Sequence, residues 1–292
     1  MPGSDIPSVE YAIVSGSAGW GRRYPDDLAD PRVTVIDRGM AFETPYGPTD
    51  RWQLLELNGE MTVDGRPRIV LNVFAHGWRA DEIDHGVIRC VGWVLQQAGV
   101  TVVVAESTCG SLNRAVLPGD FVIPRDVIDL TQTPFSVLPG RIPVQCRGAQ
   151  LVCPALAGSV ADAAEREWPA PGRVLRREAG LVVAHTWGPR LETPAEANAL
   201  RLLGADLANQ SIAVDATLAR EIGACFAPSS YIVNFVDGVN PEEWGDYHGI
   251  HDRSALPAMR IGLTAIAAVP AERSCRCDQY RRTRPERYLN PW

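Results

Sequence analysis

Short apolar runs of strand length recur along this chain and alternate with segments whose apolar residues fall at helical spacing. Tyr11–Val14 (YAIV), Ile69–Phe74 (IVLNVF), Val100–Ala105 (VTVVVA), Phe121–Ile123, Leu181–His185 (LVVAH) and Tyr231–Val236 (YIVNFV) read as strands. Their near-continuous apolar character suits a sheet covered on both faces. Val87–Ala98 ahead of Gly99 predicts a helix with a glycine C-cap. Further helices are expected over Val160–Trp168, from Thr193 to about Leu203 ahead of Gly204, over Ala213–Ile222 ahead of Gly223, and over Ser254–Val269. Alternation around Trp52–Leu57 predicts a hairpin-like excursion, preceded by a loop over Phe42–Pro48 (FETPYGP). Residues 131–177 show no clear period apart from the one helix. Strands and helices alternate without a linker-like break or an internal repeat. The expectation is one α/β domain over residues 1–270, with a mixed, largely parallel central sheet flanked by helices. Residues 271–292 carry six arginines and no apolar period, which predicts a flexible tail.

Composition narrows the class. The apolar share of 46% allows a sizeable core, and a net charge of -7 speaks against general nucleic-acid affinity. No apolar run reaches the roughly 18–20 residues of a membrane span, and no secretory signal is visible at the N-terminus, so a cytoplasmic protein is expected. Seven cysteines, an odd number mostly set in apolar runs, suit reduced thiols better than a disulfide framework.

The densest stretch of candidate chemistry is Gly188–Glu196 (GPRLETPAE). Thr193, Pro194 and Glu196 spell a capping box, so Glu192 sits in a strand-to-helix loop where ligands commonly bind. Taken alone, Glu192 reads as a solvated loop carboxylate, and Asn234 as a strand amide needing a hydrogen-bond partner. The Gly/Ser turn after the first strand, Gly16–Gly19, reads alone as an ordinary turn. His76 reads equally well as a turn cap. His248 and His251 stand in a polar loop with Asp246 and Asp252, without a third firm metal ligand. Cys275-x-Cys277 suits metal binding or oxidation, but an inert tail is the favoured reading, and no metal site is expected.

Taken in order, these stretches resemble the trimeric purine nucleoside phosphorylase and methylthioadenosine phosphorylase family. Gly16-Ser17 resembles its first phosphate loop, Thr44-Pro45-Tyr46-Gly47 its TPYG loop, and Ser107–Leu112 with Pro118-Gly119-Asp120 its CGSL…PGD segment. GPRLETPAE and Asp215–Gly223 are similar to two more signatures, with Asp215 where the family usually has glutamate. The resemblance spans about Tyr11 to Ala268. It implies a nucleoside phosphorylase-like fold, a homotrimer, a purine nucleoside and free purine base as ligands, phosphate as co-substrate and no cofactor.

Within that family, Glu192 and Asn234 match the 6-oxopurine type; methylthioadenosine phosphorylases place Ser and Asp there. A carboxylate accepts from the N1–H of hypoxanthine or guanine, and an Asn amide serves N7 and O6. Leu191 with Asn234 also resembles methylthioinosine phosphorylases, which allows a 5′-modified nucleoside. The resemblance further implies that Cys109, Gly110 and Leu191 contact the base, and that Gln210, His248 and His251 lie on the ribose side. Gln210 replaces the family's methionine. The phosphate side departs most: Ala75-His76-Gly77-Trp78-Arg79-Ala80 stands where the family has an arginine and a histidine. Three readings remain. One is phosphorolysis through a rearranged site using Ser17, His76, Arg79, Ser107 and Ser211. The others are a phosphate-independent hydrolase or other ribosyl transferase, and a catalytically silent nucleoside binder. Phosphorolysis is the favoured one.

Overall fold

The computed structural model describes residues 5–17, 21–76, 86–131, 136–138, 144–188, 190–240 and 245–285. Its centre is β5 (Val102–Ser111), whose apolar start packs between β1 (Tyr11–Gly16) and β12 (Cys225–Phe235), both parallel to it. Beyond β1 lies β4 (Arg68–His76), also parallel. A long antiparallel hairpin, β2 (Val33–Thr44) and β3 (Gly47–Leu57), then widens the sheet on that side. On the other side, β11 (Leu207–Asn209) pairs antiparallel with the end of β5 and continues to β10 (Val182–His185) and β7 (Asp126–Asp129). Beyond β12 the sheet extends through β6 (Phe121–Val122) to β9 (Val174–Leu175).

Five α-helices among the described residues flank this mixed sheet: α1 (Gly86–Ala98), α2 (Pro154–Glu167), α3 (Pro194–Leu202), α4 (Ile212–Ile222) and α5 (Tyr247–Ala267). α2 and α5 pack on each other and on β12, while α1 packs against α4. The core is continuous, with Ile13, Trp52, Leu71, Val104, Phe121, Phe226 and Ile261 almost wholly removed from solvent. None of the helices among the described residues is long and apolar enough to cross a membrane.

Tertiary pairing lengthens several elements beyond their sequence signals. β5 runs on through Ser107–Ser111 because the whole of β12 pairs with it, overriding the turn-like Cys-Gly-Ser composition. β12 begins at Cys225 for the same reason. α2 starts at Pro154, at its first helical position, behind Cys153 as N-cap. α5 starts at Tyr247 because the Asp246 carboxylate accepts the Gly249 amide 3.1 Å away, which draws His248 and His251 into the helix.

The expected flexible tail is corrected over residues 275–283. β13 (Arg281–Thr283) pairs antiparallel with β8 (Val144–Cys146). Cys277 is 1% exposed. The Arg281 Nε donates to the Glu221 carbonyl at 2.6 Å, and the Arg220 guanidinium lies 4.8 Å from the Tyr280 ring centroid. Individual anchors of this kind carry no periodicity, which is why an arginine-rich segment reads as unstructured.

Candidate active site

The turn between β10 and α3 is built as its residue types dictate. Thr193 Oγ1 accepts the Glu196 amide at 3.3 Å, and a Glu196 carboxylate oxygen accepts the Thr193 amide at 2.8 Å, completing the capping box. Arg190 braces the same glutamate in a 2.6 Å ion pair. Glu192 is thereby turned inward and is 8% exposed. Thr186 Oγ1 donates to its Oε1 at 2.5 Å. One hydroxyl occupies a single lone pair, so the carboxylate keeps acceptor capacity for a ligand.

Asn234 faces this region from β12. A bulge between Ile232 and Asn234 sets it opposite Gly110 of β5. A Cβ on Gly110 would come within 2.8 Å of Val236 Cγ2, so the bare glycine makes room for Val236, with the Asn234 amide in ordinary contact range at 3.8 Å. Asn234 Nδ2 donates to the Phe235 carbonyl at 2.7 Å, which fixes its orientation and leaves a second N–H. The loop after β12 docks on the start of α3: a Cβ on Gly238, whose φ is +82°, would lie 2.8 Å from Pro194 Cβ. The loop that follows Asn234 and the turn that carries Glu192 are thus neighbours.

A second polar group gathers on residue 108 of β5. Ser17 Oγ lies 3.2 Å from Thr108 Oγ1, and the Ser17 carbonyl accepts from His251 Nε2 at 2.8 Å. Burial lowers the His251 pKa, so its imidazole is neutral, with the proton on Nε2 and Nδ1 left as acceptor. Asn209 ties this corner together. Its Nδ2 donates to the Thr108 carbonyl at 2.8 Å, and its Oδ1 accepts the Ser211 and Ile212 amides at 2.8 and 2.6 Å. The N-terminus of α4 is thereby fixed beside β5. The parallel pairing of Gly16 with His76 brings the first loop to the end of β4.

The remaining expected residues divide. Gln210 Nε2 donates to the Arg190 carbonyl at 3.2 Å, so it belongs to the GPRLETPAE turn. Leu191 is 49% exposed and His248 is exposed. Ser107 and Cys109 alternate to the opposite side of the strand from Thr108. Ser107 Oγ lies 2.7 Å from Ser230 Oγ, and the buried Cys109 thiol, pushed up to about 12 by desolvation, is also bonded to Ser230. The neighbour of Ser17 on this strand is Thr108, while Ser107 pairs with Ser230. Arg79, with Trp78 and Ala80, lies outside the described residues. Thr186, Thr108 and Asn209 escaped the sequence reading, although Asn209-x-Ser211 ahead of a helix is an Asx-type cap signal. Asp246 is engaged as a helix cap and His251 Nε2 on the Ser17 carbonyl. The group of metal-ligating side chains brought together among the described residues is Cys153, Cys225, Cys275 and Cys277, at the other end of β12.

The Phosphorylase superfamily pattern matches residues 85–267. A probable 6-oxopurine nucleoside phosphorylase of Moorella thermoacetica is 32% identical over 276 residues, covering 92% of this chain and 97% of that protein. A probable S-methyl-5′-thioinosine phosphorylase of Methanothermobacter thermautotrophicus is 29% identical over 252 residues, covering 83% and 81%. Among solved structures, a methylthioadenosine phosphorylase from an antarctic soil metagenomic library shares the fold with a TM-score of 0.77 at 24% identity, over 94% of this chain and 91% of that one.

Proposed function

Since this chain belongs to the phosphorylase superfamily and is a nucleoside pentosyltransferase of that group, we propose that its substrate is a 6-oxopurine nucleoside, with an unmodified or modified 5′ position, cleaved by phosphate. The observation that carries this reading is the buried Glu192 carboxylate, held by Thr186 in a turn that packs against the loop following Asn234. A carboxylate accepts from the N1–H that hypoxanthine and guanine offer and adenine lacks. Asn234 uses its free N–H on the purine N7. Negative charge builds on the imidazole ring as the glycosidic bond breaks, so this hydrogen bond is stronger in the transition state than in the ground state.

Phosphate would lie at the corner formed by Ser17, Thr108 and Ser211, beside the N-terminus of α4, where hydroxyls and the helix dipole favour an anion. His76 borders this corner through β4. Ala75 stands where the family has an arginine, and hydroxyls do not replace a bidentate guanidinium, so phosphate is held weakly. His251 and the solvent-facing His248 stand on the 5′ side of the ribose. The family's homotrimer and a cytoplasmic setting complete the reading.

The test is base release from inosine, guanosine and 5′-methylthioinosine, with and without phosphate. Release that requires phosphate, with a high phosphate KM, is expected. Equal release in its absence points to hydrolysis, and no release despite hypoxanthine binding points to a silent binder.

A further inference from the structure

Four cysteines distant in sequence meet at the base of β12. Cys153 caps α2, Cys225 opens β12, and Cys275 and Cys277 come from the arginine-rich segment. Their Sγ atoms all lie within 4.8 Å of one another, and three of the four residues are buried. We propose that these four sulfurs bind one structural zinc ion as a tetrathiolate, which fastens the C-terminal segment to the body of the fold.

The geometry favours a single ion over two disulfides. Two disulfides require closeness only within each pair, at about 2.05 Å. Here each sulfur is close to all three others, as the corners of a tetrahedron are. Zinc–sulfur bonds of about 2.3 Å set sulfur–sulfur edges of roughly 3.8 Å. The Cys225–Cys275 separation is 3.2 Å, shorter than that edge and well beyond a disulfide bond, so a small outward shift admits the ion. Soft thiolates in a closed four-coordinate set suit zinc, and burial leaves no open position for catalysis.

The surroundings are those of a metal site. Zinc with four thiolates carries two net negative charges. Arg273 Nη1 lies 3.9 Å from Cys225 Sγ, and the Leu156 amide in the first turn of α2 is directed at Cys153, so a cation and a helix N-terminus offset that charge. The two body ligands are held together independently of any ion, because the Cys153 amide donates to the Phe226 carbonyl at 2.8 Å. The Cys-x-Cys hook then closes the site. Beyond it, Tyr280 packs under Arg220 and β13 pairs with β8.

Metal analysis of the full chain, purified with a reducing agent and without chelators or metal-affinity resin, tests this directly. About one zinc per chain is expected. Cobalt supplied in its place should give the strong visible d–d absorption of a tetrahedral tetrathiolate. A Cys275→Ser/Cys277→Ser variant should lose the zinc, show a thermal midpoint lower by several degrees and retain inosine cleavage. The cobalt spectrum of the unaltered chain decides the matter if that variant fails to fold. Metal-free protein with four titratable thiols, a mass lower by four hydrogens from two disulfides, or iron in place of zinc each overturns the proposal.

Discussion

Glu106 shows how one side chain can set the response of the whole fold to pH. It lies on β5 two residues before Thr108 and is fully buried, with the Ser15 hydroxyl as the one polar neighbour that offsets part of its desolvation. Desolvation pushes its pKa from 4.5 to about 7. The unfolded chain releases this proton near 4.5 and the folded chain only near 7. Between those values the folded state holds more protons, so stability falls as pH rises and levels off above about 7. The loss amounts to about 3 kcal/mol. Glu106→Gln should raise the thermal midpoint at pH 8 relative to the unaltered chain and leave it nearly unchanged at pH 5. Thermal unfolding at the two pH values checks this; an equal offset at both would show that ionisation is not the cause. The sequence displays Glu106 beside an apolar run but not its burial, which depends on the packing of α5 against β5. Glu192 and Asn234 were readable because they stand in strong local signals, a capping box and a lone amide in an apolar strand. Thr186 and Thr108 were not, since a threonine beside a strand carries no distinguishing pattern until its partner is in place.

At the scale of elements, the strands and helices announced by apolar runs and glycine caps appear with shifted ends, but β2 (Val33–Thr44) had no announcing run, and the loop expected over Phe42–Pro48 is instead the tip of the β2–β3 hairpin, with only Pro45 and Tyr46 between the paired strands. β5 and β12 run past their turn-like residues because each supplies the other's hydrogen bonds. The short strands β7, β8, β9, β11 and β13 have too few residues for a period and exist through pairing with longer neighbours. Contact between elements also holds the loop after β12 against the start of α3. Gly238 combines a φ of +82° with a Cβ position 2.8 Å from Pro194 Cβ. Gly238→Ala should therefore strain the backbone and push the β12 loop off the start of α3, at a cost of about 1–3 kcal/mol. The expected result is a lower thermal midpoint together with a raised KM for inosine. A lower midpoint with unchanged KM would separate this contact from the site.

At the scale of the molecule, one continuous sheet carries two polar assemblies at opposite ends of β12, the candidate site around Asn234 and the cysteine cluster. The residues of the first stand in ordered sequence motifs, whereas the four members of the second are far apart in the chain and share no local signal. The polar corner of Ser17, Thr108 and Asn209 draws on three separate strands, so its shape is a property of the assembled sheet. The base end is the more completely specified of the two halves of the active site. The central claim is that Glu192, held by Thr186 and paired with Asn234, selects a 6-oxopurine. The ratio of kcat/KM for inosine to that for adenosine, measured at saturating phosphate, tests it most directly. A single charge-assisted hydrogen bond is worth about 1.5–3 kcal/mol, so the ratio should favour inosine by at least about tenfold. A ratio near one, or a preference for adenosine, would contradict it.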